Sequence, residues 1–439
     1  MCYERDYRIC HRRLAADLRE LPAEVNPKYL VQVDLWKPAP EATLSLRIAH
    51  EVMRGIDLLR RLTPRAGETI LDRFRRDFGE RYGEREMPLA EVLDEESGLG
   101  FDAAPDASAD QAPLLRGLPL GRRRTEDRLT RQPVHGVLLQ RLQEAYAAGR
   151  REIVFEPGEI EALTVADPVR LPEAFHALVK VVGRPGADPG VDEDLRIILK
   201  GVSGPSGALI LGRFCPLDAD LTAAVRGHLR QEEALRQAAV FAEVVHLPEG
   251  RMGNILFRPI LRDHEIHYLC RPGVDAAHRI GIQDLTVGVR DGRIVLRSRR
   301  LGREVIPRMS TAHNFRNRSV GIYKFLCMLQ QQDGGSLPGW PWGPLDGSLF
   351  LPRIRCGHVV FSPARWLLTG RDIASVGGDD PDAGFLSVQA LRRRRRLPRR
   401  IQLVENDNTM PVDLDNALSV EVFRRLLGKR PSAVVQEFD

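Results

Sequence analysis

The sequence lacks several features that would mark a specialised class of protein. Its 439 residues contain six cysteines, with no C-x-x-C pair among them, which argues against a disulfide framework or a zinc site. No uninterrupted apolar run approaches the roughly 20 residues that span a bilayer. The charged N-terminus has no apolar core of the kind that a signal peptide needs. The chain is therefore predicted to be cytoplasmic and without a membrane span.

Lysine is also scarce, and arginine takes its place. Of 65 basic residues only six are lysine, which leaves 59 arginines, and the net charge is +5. Such a bias often accompanies a GC-rich genome, so a single arginine run carries less weight. Arginine nevertheless presents a planar fork of donors that suits phosphate and carboxylate groups. The composition is therefore compatible with a polyanionic partner without demonstrating one.

Helical and strand-like apolar spacing alternate along the chain, and no internal repeat is found. Helices are predicted at residues 11–20, 44–62, 68–82, 135–148, 217–238, 315–329 and 386–396. Strands are predicted at 29–36, 152–155 and 195–199, with hairpins that turn at Asp291-Gly292 and within 354–361. Residues 102–110 are predicted to be a loop.

These elements predict an α+β fold in which mixed and antiparallel sheets pack against helices, as several subdomains of a larger protein. The texture changes near residue 240, after which strands dominate. The predicted domains are therefore a mixed α/β part at 1–239 and a strand-rich α+β part at 240–439.

The stretch "GVSGPSGALILGRF" (201–214) nearly spells a phosphate-binding loop. Arg213 and Phe214 stand where Lys and Ser or Thr belong, and the residues between the last two glycines are apolar. Phenylalanine cannot ligate magnesium. We therefore predict a flexible turn at 201–207 that leads into a strand ending at Gly212-Arg213. The residues alone leave open whether Arg213 is a surface arginine or a functional one.

Three other sets of polar residues are weighed as candidates for chemistry. Asp34 lies within the alternation "LVQVDLW", which favours the solvent face of a strand over a positioned carboxylate. His264 and His267 are three positions apart in a predicted strand, so they face opposite sides and no metal site is predicted. The acidic set at 406–416 lacks the pattern of a calcium loop and is predicted to be a capped turn.

Three arginine clusters remain, at 122–124, 297–308 and 392–400. The third is interpreted as the solvated face of a helix. The second follows a predicted strand, where arginines held on a sheet edge suit a phosphate backbone. Its members are the predicted tRNA-binding residues Arg297, Arg299, Arg300, Arg303 and Arg308. No aromatic residues are interleaved with them, so base-specific binding there is unsupported.

Several stretches in order along the chain carry a family resemblance. They are "QVDLW" (32–36), "ERYGEREMPLAEVLDEESGLGF" (80–101), "GPSGALILGRF" (204–214), "AEVVHLPEGRMGNILFRP" (242–259), "IVLRSRRLGREVIPR" (294–308), "NRSVGIYKFLCMLQ" (317–330), "WGPLDGSLFLPRIRCGHVVFSPARW" (342–366) and "DNTMPVDLDN" (407–416). Together they resemble the N-terminal, glutamylating region of class I lantibiotic dehydratases.

The resemblance implies a reaction in lanthipeptide biosynthesis. A Ser or Thr hydroxyl of a ribosomal precursor peptide attacks the aminoacyl ester of glutamyl-tRNA, and elimination of glutamate then leaves a dehydroamino acid. The acid of "QVDL" and the arginine of "GRF" are glutamylation residues in the family, which makes Asp34 and Arg213 the candidate catalytic residues. Glutamyl-tRNA is a co-substrate, and no cofactor or metal is expected.

The expected partners are glutamyl-tRNA, the precursor peptide and an elimination domain or protein. A cyclase and a second copy of the chain are further partners to consider. An "RPTPFG"-like segment of the family has no counterpart here and would lie upstream of residue 1, while elimination would lie beyond 439. The chain is therefore expected to be a fragment that lacks full activity alone. The alternatives are a peptide–aminoacyl-tRNA ligase and a non-catalytic module that binds tRNA or peptide.

Overall fold

The computed structural model describes residues 4–20, 30–31, 34–35, 37, 39, 42–65, 67–101, 133–184, 192–246, 256–316, 319–378, 380–405 and 408–438. Within these ranges helices and three sheets, of seven, five and five strands, build a mixed fold. The predicted α+β class is confirmed. The predicted loop at 102–110 and the Arg122–Arg124 cluster lie outside the described residues.

The helices and strands of the described ranges alternate along the chain. The helices are α1 (Glu4–Asp17), α2 (Leu46–Leu62), α3 (Ile70–Tyr82), α4 (Leu89–Val92), α5 (Pro133–Ala147), α6 (Pro157–Ala162), α7 (Ala208–Leu211), α8 (Ala219–Ala234), α9 (Gly321–Leu329), α10 (Gly370–Ala374), α11 (Pro381–Arg395) and α12 (Ala417–Leu427). The first strands are β1 (Met87–Pro88), β2 (Glu152–Val154), β3 (His176–Val182), β4 (Arg196–Ser203), β5 (Val240–His246), β6 (His264–Tyr268), β7 (Arg279–Gly281), β8 (Leu285–Arg290), β9 (Arg293–Ser298) and β10 (Arg303–Arg308). The remaining strands are β11 (Phe350–Leu351), β12 (Arg353–Cys356), β13 (Val359–Ser362), β14 (Arg365–Leu368), β15 (Arg400–Glu405), β16 (Asn408–Asp413) and β17 (Ala433–Glu437).

The chain divides into two compact units made of interleaved segments. The first unit comprises Met1–Ala42, Glu68–Arg122 and Pro205–Asp333, and the second comprises Thr43–Gly67, Arg123–Gly204 and Gly334–Asp439. The border drawn at residue 240 from the change in sequence texture falls inside the first unit. Spatial contacts therefore divide this chain differently from sequence position.

The first unit is built on the seven-stranded sheet, in the order β1-β8-β9-β10-β5-β6-β7. The β8–β9 hairpin turns at Asp291 and Gly292, whose φ angles of 49° and 70° are those of a tight primed turn. This confirms the predicted hairpin and the strand-rich character of 240–308. The aromatic rings of Phe74, Phe101 and Phe325 pack against one another in the core, with centroids 5.0–5.8 Å apart.

The second unit contains two five-stranded sheets, β11-β14-β17-β15-β16 and β2-β12-β13-β4-β3. Helix α2 begins at the N-cap Ser45 and packs on β13, where a Cβ on Gly55 would lie 2.8 Å from Val359. The predicted helix at 44–62 and the β12–β13 hairpin are confirmed. Trp366 and Phe423 are buried in the core beneath the other sheet.

Two predicted strands are wrong. In the predicted strand at 29–36, the four described residues, 30–31 and 34–35, have no strand structure, and Leu35 is 89% exposed. The apolar run after Gly207 forms the short helix α7 and then a 3-10 helix, Gly212–Leu217, instead of a strand. A run of four apolar residues has too little periodicity to separate strand from helix, so its neighbours decide. No helix in the described part of the chain is both long enough and apolar enough to cross a bilayer.

Candidate active site

The "GRF" segment is held in place by a strained serine and a tightly packed glycine. Ser206 is buried with a φ of 143°, and its hydroxyl accepts the Ala208 N–H at 3.2 Å and contacts His228 Nε2 at 3.1 Å. Gly212 follows α7, and a Cβ there would lie 2.0 Å from the carbonyl oxygen of Ser310. Only glycine fits this close approach, so the backbone that carries the next residue, Arg213, has a fixed position.

Arg213 and Asp34 form an ion pair although they are 179 positions apart in the sequence. The Nη2 of Arg213 donates to Oδ1 of Asp34, and the two side chains are 26% and 24% exposed. The guanidinium lies 5.0 Å from the ring centroid of Phe214. Its Nε is buried and has no hydrogen-bond partner within the described part of the chain. The structure brings the two candidate residues together, while their catalytic role stays a prediction.

Ser310, against which Gly212 packs, belongs to a buried cluster of charged residues. The N–H and hydroxyl of Ser310 donate to Oε1 of Glu243 at 2.7 and 2.9 Å. Arg258 donates to the same oxygen, with its Nη2 3.0 Å away. The Arg258 and Glu243 side chains are only 8% and 4% exposed. A charge pair with so little solvent contact fixes the backbone at Ser310 and hence the wall against which Gly212 packs.

Glu232 in α8 is the centre of a second buried group. Arg262 donates to Glu232 and also to Glu233 at 2.7 Å, and Arg308 Nε donates to Glu232 at 2.7 Å. Burial alone raises the pKa of Glu232, but the charges and hydrogen bonds of the two arginines outweigh it and hold this pKa below its ordinary value. Both guanidinium groups also lie over the ring of Phe241, at 5.5 and 5.1 Å. The group ties α8 to the sheet.

Sequence reasoning missed these buried acids, although one signal was present. Glu243 is the single charged residue of the apolar strand "VFAEVVH" (240–246). An acid in the middle of a run that reads as a buried strand requires a cationic partner, because an unpaired buried charge is very unfavourable. That partner could not be named from the sequence, because Arg258 is 15 positions from Glu243 and no local spacing rule joins the two.

Four of the five predicted tRNA-binding arginines are at least partly exposed, namely Arg297, Arg299, Arg300 and Arg303. Arg297 donates to the carbonyl of Gly302 at 2.9 Å and is 37% exposed. Arg300 donates to the Arg279 carbonyl at 2.9 Å, and Arg299, in the turn after β9, is also exposed. These three keep guanidinium surface available at one end of the β9–β10 hairpin. Their role in binding tRNA stays a prediction.

Arg303 and Arg308 use their guanidinium groups for contacts within the first unit, Arg303 from an exposed position and Arg308 from a buried one. Arg303 donates to the carbonyls of residues 237–239 after α8, with the nearest bond at 2.6 Å. Arg308 is 8% exposed and its Nε is bonded to Glu232. The prediction that Arg308 meets a phosphate backbone is therefore corrected, since burial and the carboxylate occupy its guanidinium. Arg308 was grouped with the cluster by its position in the sequence, which does not reveal a carboxylate partner 76 positions away.

The histidines set aside in the sequence lie in β6. His264 packs edge-on against His278, with ring centroids 5.0 Å apart, and burial and the charge of His278 lower its pKa. Within the described ranges no three His, Cys, Asp or Glu side chains are placed to hold a metal ion. The expectation of a chain without metal rests on the sequence motifs alone.

Known proteins resemble this chain over most of its length. A family model described as lantibiotic dehydratase, N terminus, matches residues 5–423. The nisin biosynthesis protein NisB of Lactococcus lactis subsp. lactis is 23% identical over 223 residues, which is 50% of this chain and 21% of NisB. The subtilin biosynthesis protein SpaB of Bacillus subtilis is 19% identical over 374 residues, 80% of this chain and 33% of SpaB.

Solved structures with a similar fold include a lantibiotic dehydratase and a glutamylation domain. The tRNA-dependent lantibiotic dehydratase MibB from Microbispora sp. 107891 superposes with a TM-score of 0.71 at 26% identity, over 89% of this chain and 37% of MibB. The glutamylation domain of TbtB, from thiomuracin biosynthesis, shares the fold with a TM-score of 0.51 at 20% identity, over 89% of this chain and 46% of that one. The chain spans from about a fifth to about a third of the length of NisB and SpaB. Because the family model covers nearly the whole sequence, this chain belongs to the lantibiotic dehydratase N-terminal family.

Proposed function

We propose that this chain transfers glutamate from glutamyl-tRNA to Ser or Thr hydroxyls of a ribosomal precursor peptide, as the glutamylating part of a lantibiotic dehydratase. The observation that carries the proposal is the Asp34–Arg213 ion pair, which joins two family motifs across 179 positions. The likeness to MibB, a tRNA-dependent lantibiotic dehydratase, over 89% of the chain supports it.

The proposed reaction is an acyl transfer between two oxygens. The peptide hydroxyl loses its proton and attacks the carbonyl carbon of the aminoacyl ester, which gives a tetrahedral intermediate with an oxyanion. The bond to the terminal ribose oxygen of the tRNA then breaks, and that oxygen takes up a proton. The products are a glutamyl ester on the peptide and uncharged tRNA. The ester is already activated, so the protein mainly positions two substrates and stabilises negative charge.

In this scheme Arg213 binds an anionic group of the aminoacyl ester. Its backbone is fixed by Gly212, its guanidinium rests over Phe214, and one of its nitrogens lies buried without a partner within the described part of the chain. A partly dehydrated guanidinium stabilises negative charge better than one in water. Two anions of the substrate fit it, namely the side-chain carboxylate of the glutamyl group and the developing oxyanion.

Asp34 acts on the peptide hydroxyl in the same scheme. Its carboxylate accepts from Arg213 and is 24% exposed, so a substrate hydroxyl can reach it from solvent. A carboxylate in this position can take the hydroxyl proton or orient the hydroxyl toward the ester. The pairing also keeps the carboxylate in one orientation before the peptide binds.

Other parts of the reaction sequence are assigned to further partners. A separate elimination domain or protein removes glutamate to leave the dehydroamino acid, and a cyclase can use that product. A second copy of the chain is another partner in the proposal. Arg297, Arg299 and Arg300 are the surface arginines proposed to contact tRNA, and no cofactor other than the co-substrate glutamyl-tRNA is required.

The test measures glutamyl transfer to a precursor peptide by mass spectrometry, with this chain alone and with this chain replacing the matching segment of MibB. Asp34→Asn is expected to abolish detectable transfer, and Arg213→Ala to lower its rate by about 10²–10³-fold. Surface variant Arg425→Ala is the matched control, since its side chain is 78% exposed. If transfer by the chimera is unchanged in Asp34→Asn, the assignment is wrong and a binding role is favoured.

A second comparison separates the two assignments for Arg213. Transfer is measured from glutamyl-tRNA and from the same tRNA charged with glutamine. If Arg213 binds the side-chain carboxylate, Arg213→Ala removes the preference for glutamate. If it stabilises the oxyanion, both rates fall together and the preference remains. Transfer onto the C-terminus of the peptide instead of a hydroxyl would favour the ligase alternative.

A further inference from the structure

An open cavity in the second unit has no part in the reaction described above. Its volume is about 330 Å³. It is lined by Ala145, Tyr146, Gly149, Arg150, Arg151, Leu349, Phe350, Trp366, Arg394, Arg395 and Arg396. Five of these eleven residues are arginines and none is an acid. The cavity is therefore strongly cationic and has an aromatic side.

The aromatic side is a short stack of three rings. Tyr146 lies nearly parallel to Phe350 at 6.0 Å and 29°, and Phe350 contacts Trp366 at 5.1 Å and 32°. The Tyr146 hydroxyl donates to the carbonyl of Phe350, which fixes the outer ring. Trp366 is buried, whereas Tyr146 is 46% exposed. The stack therefore ends in a rigid aromatic ring that a further planar group can extend.

The arginines of the cavity fall into two groups. Asp372 is buried and accepts from Arg394 at 3.0 Å and from Arg395, which orients both guanidinium groups. These hydrogen bonds overcome the effect of burial and hold the pKa of Asp372 well below its usual range. Arg396 ends α11 in the left-handed conformation, with φ 54°. Its side chain, like those of residues 150 and 151, has no carboxylate partner within the described ranges.

An anionic ligand with a planar ring matches this combination. Arginine forks bind phosphate, and an open aromatic ring stacks on a nucleobase without regard to sequence. The volume lies at the lower end of the roughly 300–1,000 Å³ of small-ligand sites, so it suits one nucleotide and not a duplex. An acidic peptide would use the arginines but would leave the aromatic ring unused.

We propose that this cavity binds a single unpaired nucleotide of an RNA, with its base on Tyr146 and its phosphate on Arg396 and Arg150. Neither Asp34 nor Arg213 lines this cavity. The inference rests on the proposed function only in that tRNA is the RNA to test first. The proposal gives a function to part of the arginine cluster at 392–400, which the sequence alone had suggested to be the solvated face of a helix.

The experiment measures binding of uncharged, fluorescently labelled tRNA to the full chain by anisotropy, as a function of salt. Arg396→Ala is expected to weaken binding about tenfold and to lower the salt slope by about one, as for the loss of one phosphate contact. Tyr146→Ala is expected to weaken it about tenfold, and Tyr146→Phe to retain binding because the ring remains. The matched control is Arg393→Ala, an exposed arginine of the same helix that does not line the cavity.

Each outcome bears on the proposal. Equal effects of Arg396→Ala and Arg393→Ala would show only general electrostatic attraction and would overturn it. Binding of 5′-AMP that depends on Arg396, with tRNA binding unaffected, would assign the cavity to a free nucleotide. The same dependence for a poly-glutamate peptide alone would assign it to an acidic peptide. An unchanged urea midpoint shows that a variant is folded. If Tyr146→Ala does not fold, the binding measured with Arg396→Ala tests the proposal by itself.

The proposed function can fail independently. If the wild-type chain and its chimera transfer no glutamate while tRNA binding still depends on Arg396 and Tyr146, the cavity proposal stands and the proposed activity falls. If transfer is normal and Arg396→Ala binds tRNA as Arg393→Ala does, the activity stands and the cavity proposal falls.

Discussion

Replacing Gly212 by alanine tests whether close packing fixes the position of Arg213. The backbone at Gly212 is helical, with φ −53° and ψ −42°, so alanine meets no conformational strain there. The added Cβ would lie 2.0 Å from the carbonyl oxygen of Ser310 and 3.1 Å from its carbonyl carbon. Both are backbone atoms, so the conflict cannot be relieved by turning a side chain. One of the two segments must move.

The expected magnitude follows from that geometry. Overpacking a well-packed site costs about 1–3 kcal/mol. The gain from replacing a helical glycine by alanine is about 0.5–1 kcal/mol, so the net effect of Gly212→Ala remains destabilising. Gly227 in α8 is the matched control, since it is helical and exposed and a Cβ there meets nothing within 4 Å. Gly227→Ala is therefore expected to stabilise the first unit by about 0.5–1 kcal/mol.

Urea unfolding of each variant is monitored by far-UV circular dichroism. Glutamyl transfer is measured in the MibB chimera at a temperature where both variants are folded. Gly212→Ala should lower the unfolding midpoint and reduce transfer, because displacement of the loop moves Arg213 from Asp34. Gly227→Ala should raise the midpoint and leave transfer unchanged. Two substitutions of the same chemical kind are thus expected to act in opposite directions. If Gly212→Ala is neutral or stabilising, the packing argument is refuted.

Two further predictions concern buried acids. Glu232→Gln leaves Arg262 with a weakened partner and should lower the free energy of unfolding by about 3–5 kcal/mol. The neighbouring Glu233 is more exposed, so Glu233→Gln should lower it by under about 1 kcal/mol. Urea unfolding measures both. Asp372 has a folded-state pKa below its unfolded value near 4, so the unfolded state takes up the proton first as pH falls. Its stabilisation is present above about pH 4 and is lost below it, and Asp372→Asn should flatten the fall in thermal midpoint between about pH 5 and pH 3.

Each of these has a contrary outcome. Equal losses from Glu232→Gln and Glu233→Gln would mean that burial of the first acid does not set its contribution. A thermal midpoint of Asp372→Asn that falls with pH as steeply as the wild type would mean that other carboxylates, such as Asp413, control acid unfolding. The pKa of Asp413 is lowered to about 2, chiefly by its hydrogen bonds with Arg399, and its side chain is 29% exposed, so solvent screens this pair in part.

Elements with strong local signals were predictable from the sequence. The helix Leu46–Leu62 has apolar residues at helical spacing, and the hairpin at Asp291-Gly292 has a turn dipeptide that tolerates positive φ at both positions. The β12–β13 hairpin likewise followed from alternation around Gly357. In each case the residues that determine the element are adjacent, so their local preferences agree with the tertiary fold.

Weaker local signals gave wrong predictions. The four apolar residues of α7 fit strand and helix equally. The residue against which Gly212 packs, Ser310, is about a hundred positions away in the sequence. Alternation predicted a half-buried strand around Asp34, yet Leu35 is exposed. Arg308 was interpreted as a surface residue because its carboxylate partner, Glu232, is 76 positions away.

The sequence by itself determined the family, the α+β class and the identity of Asp34 and Arg213 as candidates. Tertiary structure decided that these two side chains meet, that Arg308 is buried while Arg297 is not, and that five arginines and three aromatic rings surround one cavity. The physical reason is the range of the interactions. Turn and helix preferences act over a few residues, whereas ion pairs, stacking and cavity walls join residues that only the folded chain brings within contact distance.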